Sequence, residues 1–476
     1  VFVLTNLIMA GIFFMLYWLS DEQNIKQVAI FGIFQYIWMF VSWFKATKNI
    51  MNIYLIFLAL SFFFYLGQPI LYLFNIEVTN VMSINTSPFT ITQVNTTLKF
   101  LLRAMALFHV GASFTIEGVQ VRNPVKVNKK AMVAIGKLLF LISAIPAINF
   151  LINSLITTFT VGYANIFESD FVQGAGVDGG IPRLVAGFFD SSLLLLILGN
   201  IANPKRRTFW IGFSIVYSLL MVISGQRGSN VLFLISIVLL YHFSIKPFTK
   251  RQLLKFVWIG LSGIVLLSLI SSTRNMALSN IGFEQILTVM SNNNLAVNLL
   301  GEMGFTLIAC TTVMVFSPSA IPFNGGATYI NSLLTLIPNL FWDVHPAAQG
   351  GVDQVFKSFL FQNSGIGSSF IIEAYYNFGY WGLLIIPMFG FIFGKMYFSI
   401  IKASRDENYL KLFMWLSIAP NLLWFVRSET ITFWRNFGYY TVIPLIMVAL
   451  YTALARKMNP SRINSVNNMQ NIERYN

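Results

Sequence analysis

The chain has 476 residues, of which 56% are hydrophobic and only 10% charged, the reverse of the balance in a water-soluble protein of this size. Its single cysteine, Cys310, excludes an internal disulfide and a cysteine-built zinc site. A formal net charge of +14 fits nucleic acid in a soluble protein, but in a membrane protein lysine and arginine collect in cytoplasmic connections, and their placement decides between the two readings.

Apolar runs lie near residues 1–19, 28–44, 53–76, 98–118, 131–158, 184–203, 209–224, 230–245, 256–272, 381–401, 411–426 and 437–455. They predict an all-α integral membrane protein, one polytopic domain over 1–455 with about twelve transmembrane helices, and then a polar tail over 456–476. The first run has no basic leader and no small-residue cleavage site, so it reads as a retained span. Basic residues mark alternate connections: Lys45 and Lys48; Arg122, Lys126, Lys129 and Lys130; Lys205, Arg206 and Arg207; Lys246, Lys250, Arg251 and Lys255; Lys402, Arg405 and Lys411. These and both termini are expected on the cytoplasmic side of a bacterial inner membrane. Residues 20–27, 77–97, 159–183, 225–229, 273–380 and 427–436 then face outward. Only 273–380 is long, and its apolar stretch Met303 to Phe316, about fourteen residues, is too short to cross and is expected to be re-entrant. No internal repeat is evident.

On the outer side the basic residues are mainly arginines: Arg103, Arg183, Arg227, Arg274, Arg427 and Arg435. Each lies near a predicted membrane boundary, where an arginine sunk toward hydrocarbon costs about 2.5–3.5 kcal/mol, so several in one layer call for an anion. Any one of them is equally served by Glu284, Glu302, Glu373 or Glu429, or by a lipid headgroup. For the set, the planar fork of guanidinium donors suits phosphate oxygens, and a pyrophosphate at the outer interface is the natural guest. The sharpest local motif is the turn Gly225-Gln226-Arg227-Gly228-Ser229-Asn230, whose glycines let backbone amides approach an anion; glycine and polar residues also populate ordinary hairpin turns.

Three segments carry a resemblance: Gly67-Gln68-Pro69-Ile70-Leu71, the Gly225 to Asn230 turn, and the run from Gly365 through Glu373-Ala374-Tyr375-Tyr376-Asn377-Phe378-Gly379. Together with many spans and one large late outer loop, they resemble the O-antigen and capsule repeat-unit polymerases, the Wzy family. The spacing from Arg427 to Gly438 also occurs in some members. The resemblance implies a membrane glycosyltransferase of the C type, related in outline to the O-antigen ligases. It implies a reaction that joins oligosaccharide repeat units carried on undecaprenyl pyrophosphate at the outer leaflet, with no cofactor and no nucleotide sugar. Undecaprenyl-pyrophosphate-linked glycans, membrane lipids and a chain-length regulator are the expected partners, and nucleic acid is not.

In such a reaction a sugar hydroxyl attacks the anomeric carbon of the growing chain and lipid pyrophosphate departs, so developing negative charge needs preorganised donors. Arg227, Arg274 and Arg427 are the first candidates, with Arg103, Arg183, Arg435 and Gln226 as further diphosphate or glycan contacts. A base for the hydroxyl proton is sought among Glu302, Glu373, Glu429 and His345. Glu373 is equally readable as an arginine partner and His345 as a loop histidine; His109 and His242 read as packing residues. Glu168-Ser169-Asp170 has the spacing of a metal-binding acid pair but reads more readily as a solvated loop, and no metal is expected. Tyr329, Phe341, Trp342, Tyr375, Tyr376, Tyr380 and Trp381 offer faces for sugar stacking or for an interfacial girdle.

Two rival functions share the lipid and phosphate chemistry. A flippase or transporter of lipid-linked glycans would place polar groups through the midplane and show paired repeats. An O-antigen ligase would differ only in its acceptor.

Overall fold

A computed structural model describes residues 1–116, 128–162, 181–255, 258, 260, 263, 279, 284, 294–337, 342, 346, 351, 352 and 367–458. Among them all regular structure is helical. In chain order the α-helices are α1 (Phe2–Leu19), α2 (Ile25–Thr47), α3 (Ile53–Leu73), α4 (Ile91–Ser113), α5 (Lys129–Thr160), α6 (Ile181–Ala186), α7 (Phe188–Gly199), α8 (Pro204–Ile223), α9 (Arg227–Ser244), α10 (Leu295–Phe316), α11 (Ala327–Leu334), α12 (Phe370–Phe378), α13 (Ile386–Arg405), α14 (Tyr409–Leu423), α15 (Thr430–Phe437) and α16 (Ile443–Met458). Tight 3₁₀ turns at Gly379–Leu384 and Trp424–Arg427 precede α13 and follow α14.

The helix starts are written in asparagine. Asn24, Asn52, Asn128, Asn203, Asn294 and Asn408 each accept a hydrogen bond from a backbone N–H in the first turn of α2, α3, α5, α8, α10 and α14. Each side chain satisfies a donor that the helix itself leaves open. Thr90 and Gln93 close a reciprocal capping box at α4.

Eleven segments of the described chain are helical, long and apolar enough to cross a membrane, as an integral all-α membrane protein requires. α4 is long enough but less apolar; it carries Lys99 and Arg103, and most of its length is buried in protein. The outward faces of α1 and α5 are apolar: Ile8, Met15, Leu141 and Ile145 are exposed on the protein surface, where a soluble protein would carry polar groups. Helices approach closely where a side chain is missing: a Cβ on Gly111 of α4 would strike the Pro387 carbonyl, and one on Gly390 of α13 the Phe108 carbonyl. Polar groups inside the bundle find partners. His109 is fully buried between the Ser42 hydroxyl, 2.8 Å away, and the Tyr54 hydroxyl, 2.6 Å away, as a packing histidine should be.

Two expectations change. The stretch expected to be a short re-entrant piece from Met303 is part of α10, which begins at Leu295 and runs for 22 residues, long enough to cross. Asn298 and Glu302 interrupt its apolar run, but α10 packs along α3 rather than facing lipid, so neighbouring protein serves those groups. The polar loop after α10 also turns back into the bundle: α12 is buried along nearly its whole length, with the Phe370 ring against Phe57, Phe108 and Phe389. The span expected at 256–272 lies largely outside the described residues.

Candidate active site

The turn between α8 and α9 is tighter than its motif implied, because α9 already begins at Arg227. Gly225 adopts φ 93°, a conformation that costs glycine nothing, and the Asn230 amide closes the turn by donating to the Gln226 carbonyl at 2.8 Å. Arg227 leaves this turn toward α10 and meets Glu302, Nη2 to Oε1 at 3.4 Å, with both side chains 20% exposed. On the next residue face, Gly228 lies flush on the Trp424 ring, whose Cη2 would be 2.6 Å from an added Cβ. That contact brings in the 3₁₀ turn Trp424–Arg427, which is held from beneath by Phe425 packed on Phe370, Phe389 and Phe433.

Arg427, at the end of that turn, lies across the backbone of Gly367, so close that a Cβ there would collide with its side chain. It interacts electrostatically with both Glu302 and Arg227. Arg227 is thus ion-paired with Glu302, and a second guanidinium, from a stretch far away in sequence, lies within electrostatic reach of both. Guanidinium groups brought near one another in this way offer several N–H donors, the chemistry that suits an anion with several oxygens.

Glu373 belongs to a different environment. It is fully buried on α12 and accepts hydrogen bonds from the Thr430 N–H at 2.8 Å, the Thr430 hydroxyl at 2.9 Å and the Thr328 hydroxyl at 2.8 Å. No cation pairs with it among the described residues. Burial pushes its carboxyl up from the ordinary carboxylate range to about 7, against the opposing pull of these three donors. Glu429, nearly buried, accepts from the Val352 N–H at 3.0 Å.

The remaining described candidates have other neighbours. Arg183 and Arg435 flank Tyr440, with which both interact electrostatically, and Arg183 is exposed. Arg103 lies on the seam of α1 and α4, over the Phe14 ring at 5.8 Å and near Tyr17 and Tyr380. Gln226 is half-buried at the turn itself. Tyr375 and Tyr376 are buried: the Tyr375 hydroxyl donates to the Ser317 carbonyl at 3.2 Å, and the Tyr376 carbonyl accepts from the Asn324 N–H at 2.9 Å. Tyr380 and Trp381 are exposed, and Tyr329 stacks on Phe378. Arg274, His345, Glu168 and Asp170 lie outside the described residues. Among the described residues, no group of three or more histidine, cysteine or acidic side chains could hold a metal ion.

Sequence reasoning missed Gly367, Trp424, Thr328 and Thr430. A glycine or threonine carries no chemical signal of its own; only the neighbour it touches gives it a role. No curated protein and no solved structure matches the chain. The family model described as O-antigen polysaccharide polymerase Wzy matches residues 1–459, nearly the whole length, and the chain belongs to that family.

Proposed function

We propose that this polymerase joins repeat units carried on a polyprenyl pyrophosphate, undecaprenyl pyrophosphate in a bacterial inner membrane, at the outer face. The observation that carries the reading is the ion pair of Arg227 with Glu302 at 3.4 Å, with Arg427 within electrostatic reach of both. Two guanidinium forks can bind the two phosphates of the leaving group and take up the charge that develops as it departs.

The transfer then runs in one displacement. The acceptor sugar oxygen forms a bond to the anomeric carbon, the bond from that carbon to the phosphate oxygen breaks, and its electron pair leaves on the pyrophosphate. Glu302 accepts the hydroxyl proton. While the site is free its charge is tied to the arginines; once these engage the diphosphate, the carboxylate is released to act as base. The guanidinium groups supply the positive charge that a divalent ion would otherwise bring, so the reaction proceeds without metal.

The protein in lipid vesicles, given lipid-linked repeat unit extracted from polymerase-deficient cells, is expected to build a ladder of longer glycans, unaffected by EDTA. Arg227→Lys and Arg427→Lys keep the charge but lose the bidentate geometry, and both should lose polymer. Full polymer from both, or activity lost to chelation and restored by magnesium, overturns the reading; transfer across the bilayer without lengthening favours a transporter.

A further inference from the structure

We propose that Glu373 is a positioning residue for glycan transfer, holding the segment that carries Arg427 in place through Thr430 without touching substrate. The role rests on the reading of Arg427 as a diphosphate ligand. Thr430 opens α15 directly after the segment that carries Arg427, and its N–H and hydroxyl both donate to the Glu373 carboxylate, at 2.8 and 2.9 Å. On the other side of Arg427, its side chain lies on Gly367, in the strand of backbone that leads into α12. The short stretch from Gly367 to Glu373 thus holds Arg427 from beneath and fixes the chain just beyond it.

The network around Glu373 is committed to this task. Asn377 donates to the Thr328 hydroxyl at 2.6 Å and to the Glu373 carbonyl at 2.8 Å, which leaves the Thr328 proton for the Glu373 carboxylate. The Ser332 hydroxyl meets that of Thr430 at 3.2 Å, so α11, α12 and α15 converge on one buried carboxylate. A fully buried acid enclosed by neutral donors has no room for a sugar hydroxyl. Its oxygens instead take up a backbone N–H and two hydroxyl protons inside the protein.

The test uses the full chain in lipid vesicles with lipid-linked repeat unit from polymerase-deficient cells. Glu373→Ala should lower kcat about 100-fold, as expected for a reacting group displaced by about 1 Å, with KM little changed. Glu373→Gln keeps the volume and one acceptor oxygen and should recover most of the rate. If the alanine variant does not accumulate, Glu373→Gln and Thr328→Val carry the comparison, with a smaller kcat loss at unchanged KM. Because Glu373 acts through Arg427, adding Glu373→Ala or Glu373→Gln to Arg427→Lys should cost less than the product of the separate losses. Fully multiplicative losses, or a Glu373→Ala enzyme with its rate intact beside an inactive Arg427→Ala, overturn the positioning role alone. Arg427→Ala at full rate overturns both that role and the diphosphate reading.

Discussion

Glu302 and Glu373 occupy two regions that meet at the turn carrying Arg427, and the protein treats the two acids by opposite means. Glu302, on α10, stays partly exposed and is held by charge, paired with Arg227 and within electrostatic reach of Arg427. Glu373, on α12, is sealed from solvent and held by three neutral donors. A charge-paired acid at a half-open site can exchange partners when an anion arrives, because one ion pair replaces another. A carboxylate satisfied by a backbone N–H and two hydroxyls has no such exchange to make, and leaving those donors unpaired in the interior costs about 1–3 kcal/mol each. On the proposed function, the first region exchanges partners with substrate and the second stays fixed.

The largest effects should fall on the charged region. Arg227→Ala and Arg427→Ala are each expected to lower the initial rate of polymerisation by about 10²–10³-fold, the cost of removing one preorganised donor to a developing anion. Glu302→Gln should lower kcat by about 10²-fold if the carboxylate is the base, while KM does not rise, since the diphosphate no longer competes with it for the arginines. A raised KM with kcat unchanged would instead make Glu302 a substrate contact. Gly367→Ala tests the border between the regions: a methyl group there displaces the Arg427 side chain, and a loss of about tenfold in kcat is expected, short of the 10²-fold of a full 1 Å displacement. An unchanged rate would show that Arg427 does not depend on that seat.

The smallest effect concerns stability. The Glu373 carboxyl is raised in the folded protein to about 7, above its unfolded value, so between the two the folded state holds a proton that the unfolded state has lost. Stability should accordingly fall as pH rises from the ordinary carboxylate range to about 7 and level off above it. Thermal midpoints in detergent, compared with those of Glu373→Gln, should show this slope in the wild type and a flatter one in the variant. Identical slopes would mean that Glu373 ionises as freely when buried as in the unfolded chain.

Much of the membrane architecture was legible because hydrophobic length is local: a run of apolar residues needs no partner to be recognised as a span. The exceptions have one cause. Asn298 and Glu302 break the apolar run of α10, and α12, at nine residues, is too short to register as a span, although both are served or covered by other helices. Of the site, Arg227, Arg427 and Glu302 each stand out by type and position, since an arginine near hydrocarbon demands an anion. Their grouping was not visible, nor was the separation of Arg103, whose neighbours lie on α1, from Arg183 and Arg435 beside Tyr440. In the sequence Glu373 suits a base or an ion-pair partner, and nothing in an acid within an apolar run announces its neutral surroundings.

Composition by itself determined the solvent of this protein and the presence of its helices, because transfer into hydrocarbon and the capping of helix ends depend on residues near one another in the chain. Tertiary structure decided which charges meet. Arg227, Glu302 and Arg427 come from three separate stretches, and only the approach of Gly228 to Trp424 and of Gly367 to Arg427 sets their spacing. Coulomb energy depends on that spacing and on the burial around it, and neither is a property of any residue taken alone.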